Sequence, residues 1–163
     1  MKTALLIAAS ALTAFAAHAE DAAISAWDIE EVTNPMSGET DYTATLKSDA
    51  EHADVTLILR CRSGKGAGYF AFNAFMGFST DVHSIRMKFD NGEPRLQPLS
   101  ISADNRALGV WSTRRSAKFA ELLARHDTLV IEFKPERKAA QVATFSLTGS
   151  ADALRPIADK CKS

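Results

Sequence analysis

Long apolar runs are missing from this 163-residue chain except at its very start. Beyond residue 19 nothing approaches the roughly 20 consecutive apolar residues that a helical membrane span requires. No membrane-spanning helix is therefore expected. A surplus of one charge is missing as well: the formal net charge is -1, which gives no overall field to draw the chain to nucleic acid or to an anionic membrane. The basic residues that do cluster, Arg60, Arg62 and Lys65 and then Arg114, Arg115 and Lys118, look local. Low-complexity tracts, internal repeats and Pro/Gly-rich linkers are absent too, and that points to one folding unit.

The chemistry of catalysis is thinly represented. Of four histidines, His52, His83 and His126 lie beyond residue 19, and none belongs to a metal motif such as His-Glu-x-x-His. No metal or cofactor is expected. Ser79, Asp81 and His83 offer the residue types of a hydrolase triad. On alternating positions of one extended segment, however, they point the same way without converging on a nucleophile. There is no Gly-x-Ser-x-Gly elbow. Glu30 and Glu31 are adjacent on a predicted strand, so they face opposite sides and cannot flank one glycosidic bond.

What is present begins with an export signal. Lys2 gives a positive start, Ala4 to Ala17 a short apolar stretch, and Ala17-His18-Ala19 the small-x-small pattern of a cleavage site. Residues 1–19 are thus predicted to be a signal peptide and residues 20–163 the mature, freely soluble domain. Loss of Lys2 takes the formal net charge to -2. No Cys lies near the cleavage site, so lipid attachment is not expected. The periplasm is the predicted destination, with the extracellular space the other. Cys61 and Cys161 are the chain's two cysteines, and in an oxidising compartment they predict a disulfide between a core strand and the C-terminus. A catalytic thiol has no nucleophile context here.

Along the mature chain, strands are predicted at Trp27–Val32, Thr40–Lys47, Asp54–Cys61, Tyr69–Asn73, Ser84–Phe89, Pro94–Ser102 and Arg106–Trp111, with a final hairpin of Thr128–Phe133 and Gln141–Leu147. Gly64 to Gly68 is expected as a flexible hairpin connection, and it lacks the spacing of a phosphate loop. Asp90-Asn91-Gly92 is a tight-turn signal in which Asn and Gly tolerate positive φ. Phe119, Leu122 and Leu123 stand at helical spacing after Ser112, Thr113 or Ser116, any of which could cap the start. A second, short helix carries Leu154, Ile157 and Cys161, with Pro156 expected to shorten or kink it. Runs of strands rather than βαβ units predict a mostly β, α+β fold: an antiparallel sandwich or open barrel with two packed helices.

The order of these landmarks resembles the VasI/TagO family of type VI secretion-associated proteins. The match is carried by Trp27 with Asn34-Pro35-Met36-Ser37-Gly38, Leu57 to Cys61, Arg86 to Gly92, Leu99 to Asp104, the Phe119 to Leu123 helix, Ala143 to Gly149, Ala153 to Ile157, and Cys161. It covers nearly the whole mature chain and departs from the family pattern at Asn105 to Trp111. The resemblance implies an exported, non-enzymatic accessory role and no catalytic residues.

Two surface features could serve a partner. Tyr69 to Phe78 is the richest apolar segment and mostly fills the core, but Phe75, Met76 and Phe78, next to Gly77, could remain as an exposed patch. Arg114 and Arg115 oppose the dipole of the long helix, so they pair with an acid such as Asp104, meet an acidic partner, or are simply solvated. The leading expectation is binding to another protein of the cell envelope or of a secretion machine, with oligomeric state left open. An exported inhibitor or invasion-associated binding module is the alternative, and a cell-wall hydrolase ranks third. N-terminal sequencing of the exported protein is expected to start at Glu20; a readout beginning at Met1 in cytosolic material would refute export.

Overall fold

The structure, a computed structural model, describes residues 26–77 and 82–161. The expected signal peptide lies outside these residues, as do Phe78, Ser79 and Asp81. Among the described residues the elements are β1 (Asp28–Thr33), β2 (Thr40–Lys47), β3 (Val55–Arg62), β4 (Lys65–Phe72), β5 (Val82–Phe89), β6 (Arg95–Ile101), β7 (Ala107–Val110), α1 (Thr113–Leu123), β8 (Thr128–Phe133), β9 (Gln141–Ser146) and α2 (Ser150–Lys160). All nine strands join one sheet in the order β1-β2-β3-β4-β7-β6-β5-β8-β9, and the pairings are antiparallel.

The sheet curls into an open barrel, and side chains far apart in strand order show it. Phe72 on β4 meets Phe133 on β8 with ring centroids 4.5 Å apart, and Phe70 meets Phe145 on β9 at 5.9 Å. The β2–β3 connection completes the bend: Asp49 N donates to Thr144 O at 2.9 Å and Ala53 N to Val142 O at 3.0 Å. The inward period is strict on β3, where Val55, Leu57, Leu59 and Cys61 are buried in alternation, as expected of a half-buried strand.

β1 forms as predicted but buries neither face, because among the described residues it is an edge strand that pairs only with β2. Only Trp27, just before it, is buried, and its indole N–H donates to Ser150 Oγ at 2.9 Å. At Asp90-Asn91-Gly92 the positive φ falls on Asp90, at 48°, rather than on Asn91 or Gly92. α2 runs through Pro156 without being cut short. Leu154 and Ile157, both buried, anchor it on either side of the lost i→i−4 bond.

The Gly64 to Gly68 expectation is corrected more deeply. The hairpin turn is only Ser63-Gly64, both at positive φ, and Lys65 to Gly68 belong to β4. The glycines serve close packing instead of flexibility. A Cβ on Gly66 would lie 2.2 Å from Ser116 Oγ, and one on Gly68 2.8 Å from Phe119 Cδ1. α1 therefore lies directly on the backbone of β4. Gly66 N–H also donates to Thr113 Oγ1 at 3.1 Å, so Thr113 ties the helix start to the strand. Ser112 holds the N-cap position without a side-chain bond.

The Cys61–Cys161 disulfide sits at the same junction, with Cα atoms 5.7 Å apart and both residues buried. It links β3 to the end of α2 across a sequence separation of 100. Closing such a loop contributes about 4.7 kcal/mol in the chain-entropy account, with native strain subtracting from it. Gly66→Ala is expected to force α1 off β4 and to destabilise the fold by about 1–3 kcal/mol in denaturant titration; an unchanged midpoint would show that the helix can give way freely.

Candidate functional site

The side chains with the most recognition chemistry meet on the outer face of the barrel, where β3, β4, β7 and the β6–β7 turn come together. Arg60, Tyr69, Ile101, Ser102, Ala103, Asp104, Ala107 and Trp111 line an open cleft of about 530 Å³. Tyr69 points outward because Phe70 and Phe72 take the inward positions of β4. Its neighbour across the ladder is Gly109, and a Cβ there would lie 2.3 Å from Tyr69 Cβ and 2.5 Å from the Gly68 carbonyl oxygen. The absence of a side chain at 109 lets the tyrosine ring lie close over β7.

Two residues beyond Gly109, on the same side of the chain, Trp111 meets that ring at a centroid distance of 5.1 Å and an angle of 31°. The Arg60 guanidinium lies 5.4 Å from the centre of the Tyr69 ring, within cation–π reach. Trp111 is 38% exposed, yet it is fixed, because its indole N–H donates to Ser100 O at 3.0 Å. The rings form a prearranged surface with one side open to solvent.

The rim opposite is equally rigid. Ser102 N donates to Ala107 O at 2.9 Å and Asn105 N to Ser102 O at 3.0 Å. Ser102 Oγ donates to Asp104 Oδ1 at 2.5 Å and accepts from Ala107 N at 2.9 Å. Arg106 N donates to the same carboxylate oxygen at 3.2 Å. Asn105 takes φ 57° to close the turn. The Ser102 hydroxyl, followed by the Arg106 N–H, holds the Asp104 carboxyl below its ordinary value of 3.8. Such a carboxylate is a poor general base at neutral pH.

The sequence-predicted residues lie elsewhere. Met76 is a core residue, 5% exposed, which corrects its place in an exposed patch. Its N–H donates to Asn105 O at 2.9 Å, while Phe75 O accepts from Glu136 N at 3.0 Å, and these two bonds pin the segment inward. Phe75 is half-buried, and Phe78 lies outside the described residues. Arg114 and Arg115 are exposed at the start of α1, and among the described residues neither makes an ion pair. Asp104 is committed to Ser102 and Arg106 instead.

Two other arrangements bear on chemistry. His126 Nδ1 lies 2.7 Å from Asp90 Oδ2, its ring stacks on Phe89 at 4.6 Å, and Asp90 Oδ1 accepts from Asp127 N and Thr128 N at 2.9 Å each. The hydrogen bond to His126, then that from Thr128, lowers the Asp90 carboxyl below 3.8. This pair latches the β5–β6 turn to the start of β8. Glu51, His52, Asp54 and Lys138 line a second cleft of about 510 Å³. Among the described residues no three of His, Cys, Asp and Glu are grouped to hold a metal ion, and no helix is long and apolar enough to cross a membrane.

No protein-family model matches the chain, and no curated protein matches it. Among solved structures, it is similar to the crystal structure of invasion associated protein B from Bartonella henselae, with a TM-score of 0.51 and 11% identity over 82% of this chain and 92% of that one. At that identity the likeness is one of fold.

The bonds at Asp104 form to the charged carboxylate. Their stabilisation is therefore present above the unfolded value and is lost as pH falls through the lowered folded one. In an acid titration followed by NMR, the Ala103 and Arg106 amide signals are expected to move with a midpoint below 3.8. A midpoint above that value would show that the turn is held some other way.

Proposed function

We propose that the chain is an exported, non-enzymatic recognition module of the cell envelope, and that it engages its partner through the Tyr69–Trp111 cleft. The observation that carries this reading is the prearranged ladder of Arg60, Tyr69 and Trp111 on an exposed and rigid face. Fixed aromatic rings of this kind supply contact area at little ordering cost on binding. The ionisable groups of the cleft are Arg60, Tyr69 and Asp104, and none is placed against a nucleophile it could activate. The Ser102 hydroxyl donates a hydrogen bond to a carboxylate of lowered pKa, which is a holding arrangement rather than an activating one.

Export is supported by the leader expected at residues 1–19, and the buried Cys61–Cys161 disulfide supports an oxidising compartment. The periplasm is the location favoured. An accessory role in type VI secretion is the finer version of this reading, supported by the order of the VasI/TagO landmarks. The fold likeness to invasion associated protein B favours the broader version, an exported binding module.

The test is sedimentation of the purified protein with envelope fragments from the source organism. Wild-type protein is expected in the pellet. The Tyr69→Ala, Trp111→Ala double variant should be retained about tenfold less or worse at an unchanged Tm, as befits loss of two anchoring aromatics. Equal retention of both proteins would remove the cleft from the function.

A further inference from the structure

The cleft also restricts what it can hold. Its floor is aromatic and its two charged side chains are one cation and one anion, Arg60 and Asp104. With one cation and one anion on its rim the cleft offers no net attraction to an ion of either sign, and this charge balance suits a neutral ligand. Asp104 takes its bonds from Ser102 and Arg106 on Oδ1, and its second oxygen accepts no hydrogen bond from the described residues. An ionised carboxylate is an acceptor only, and a guanidinium a donor only. A ligand that covers this rim must therefore bring donors to Asp104 and acceptors to Arg60, or it leaves charged groups desolvated and unpaired.

A proline-rich segment, the usual guest of a Tyr/Trp groove, does not meet these terms. Proline has no N–H to offer the carboxylate. The indole N–H that such a groove would turn toward a peptide carbonyl is already given to Ser100 O. A sugar ring meets all of them: hydroxyls that both donate and accept, no charge, and a flat C–H face that matches the half-exposed ring of Trp111. The volume, about 530 Å³, is within the range of small-ligand sites.

We propose, resting on the recognition reading above, that the cleft binds one ring of a neutral, hydroxyl-rich glycan, with its C–H face on Trp111 and its hydroxyls shared between Asp104 and Arg60. The site is open on one side, so a single ring is only partly buried and the affinity is weak. Avidity along a polymer would raise it.

The test is an NMR titration of the full mature protein with cellotetraose, chitotetraose and decaproline. The chain has two tryptophans, so the indole N–H of Trp111 reports the cleft, while that of Trp27, buried and bonded to Ser150, serves as the internal control. At least one of the two sugars should shift the Trp111 signal saturably and leave Trp27 in place; cellotetraose alone would mark a plain glucan, chitotetraose alone an amino sugar. Read on the Ala103 amide, Trp111→Ala should weaken binding about tenfold or more, and Asp104→Asn several-fold. The glycan assignment is overturned if neither sugar saturates at about 10 mM, some ten times the dissociation constant of a millimolar site, or if decaproline binds in their place. It is also overturned if Trp111→Ala binds sugar as well as wild type. Should the sugars fail while envelope retention still depends on the cleft, the glycan falls and the recognition reading stands; loss of that dependence removes both.

Discussion

α1 can rest on the sheet only because β4 presents backbone where it would ordinarily present side chains. Gly66 and Gly68 leave no room for a methyl group beneath Ser116 and Phe119. That approach sets the position of α1, and with it the T-shaped contact of Phe119 on Phe70, at 5.9 Å, in the middle of the core. The Cys61–Cys161 disulfide lies against the same spot, 3.4 Å from where a Cβ of Gly66 would be, and draws α2 into the assembly. From the other side of β4 the same strand fixes β7 through the Tyr69–Gly109 pairing. Interior and outer face are therefore registered to one another through a single strand, by its own glycines on the inner side and by Tyr69 over Gly109 of β7 on the outer.

Much of the architecture was legible in the sequence because it follows from periodicity. The aliphatic run of β3, the alternation of β5, the helical spacing of Phe119, Leu122 and Leu123, and the lone pair of cysteines each answer to a local rule. The Gly64 to Gly68 segment was misread for a physical reason: a glycine used for flexibility and a glycine used for close packing are identical in sequence, and only the helix above β4 tells them apart. Met76 was misplaced similarly, since two backbone bonds to distant turns, its own to Asn105 O and that of the preceding Phe75 O from Glu136 N, draw it inward. The full exposure of β1 follows from strand order, which no local pattern encodes.

The cleft was the least legible part. Its members come from four stretches of chain separated by up to 51 positions, from Arg60 to Trp111, and none belongs to a motif. Arg60 read as part of a local basic cluster and Trp111 as the end of a short strand. Asn105 to Trp111 closes the β6–β7 turn and delivers Gly109 and Trp111, and nothing local in that segment marks it as part of a site.

The bonds from Asp49 and Ala53 to β9 matter beyond the shape of the barrel. They occupy the outward carbonyls of Val142 and Thr144, so the last strand has little left with which to recruit another chain. The opposite border, β1, has no partner on its outer edge among the described residues, but it carries Asp28, Glu30 and Glu31, whose like charges would be forced together if two copies met border to border. Fibre-like polymerisation is thereby opposed at both margins, by occupied carbonyls at one and by mutual repulsion at the other.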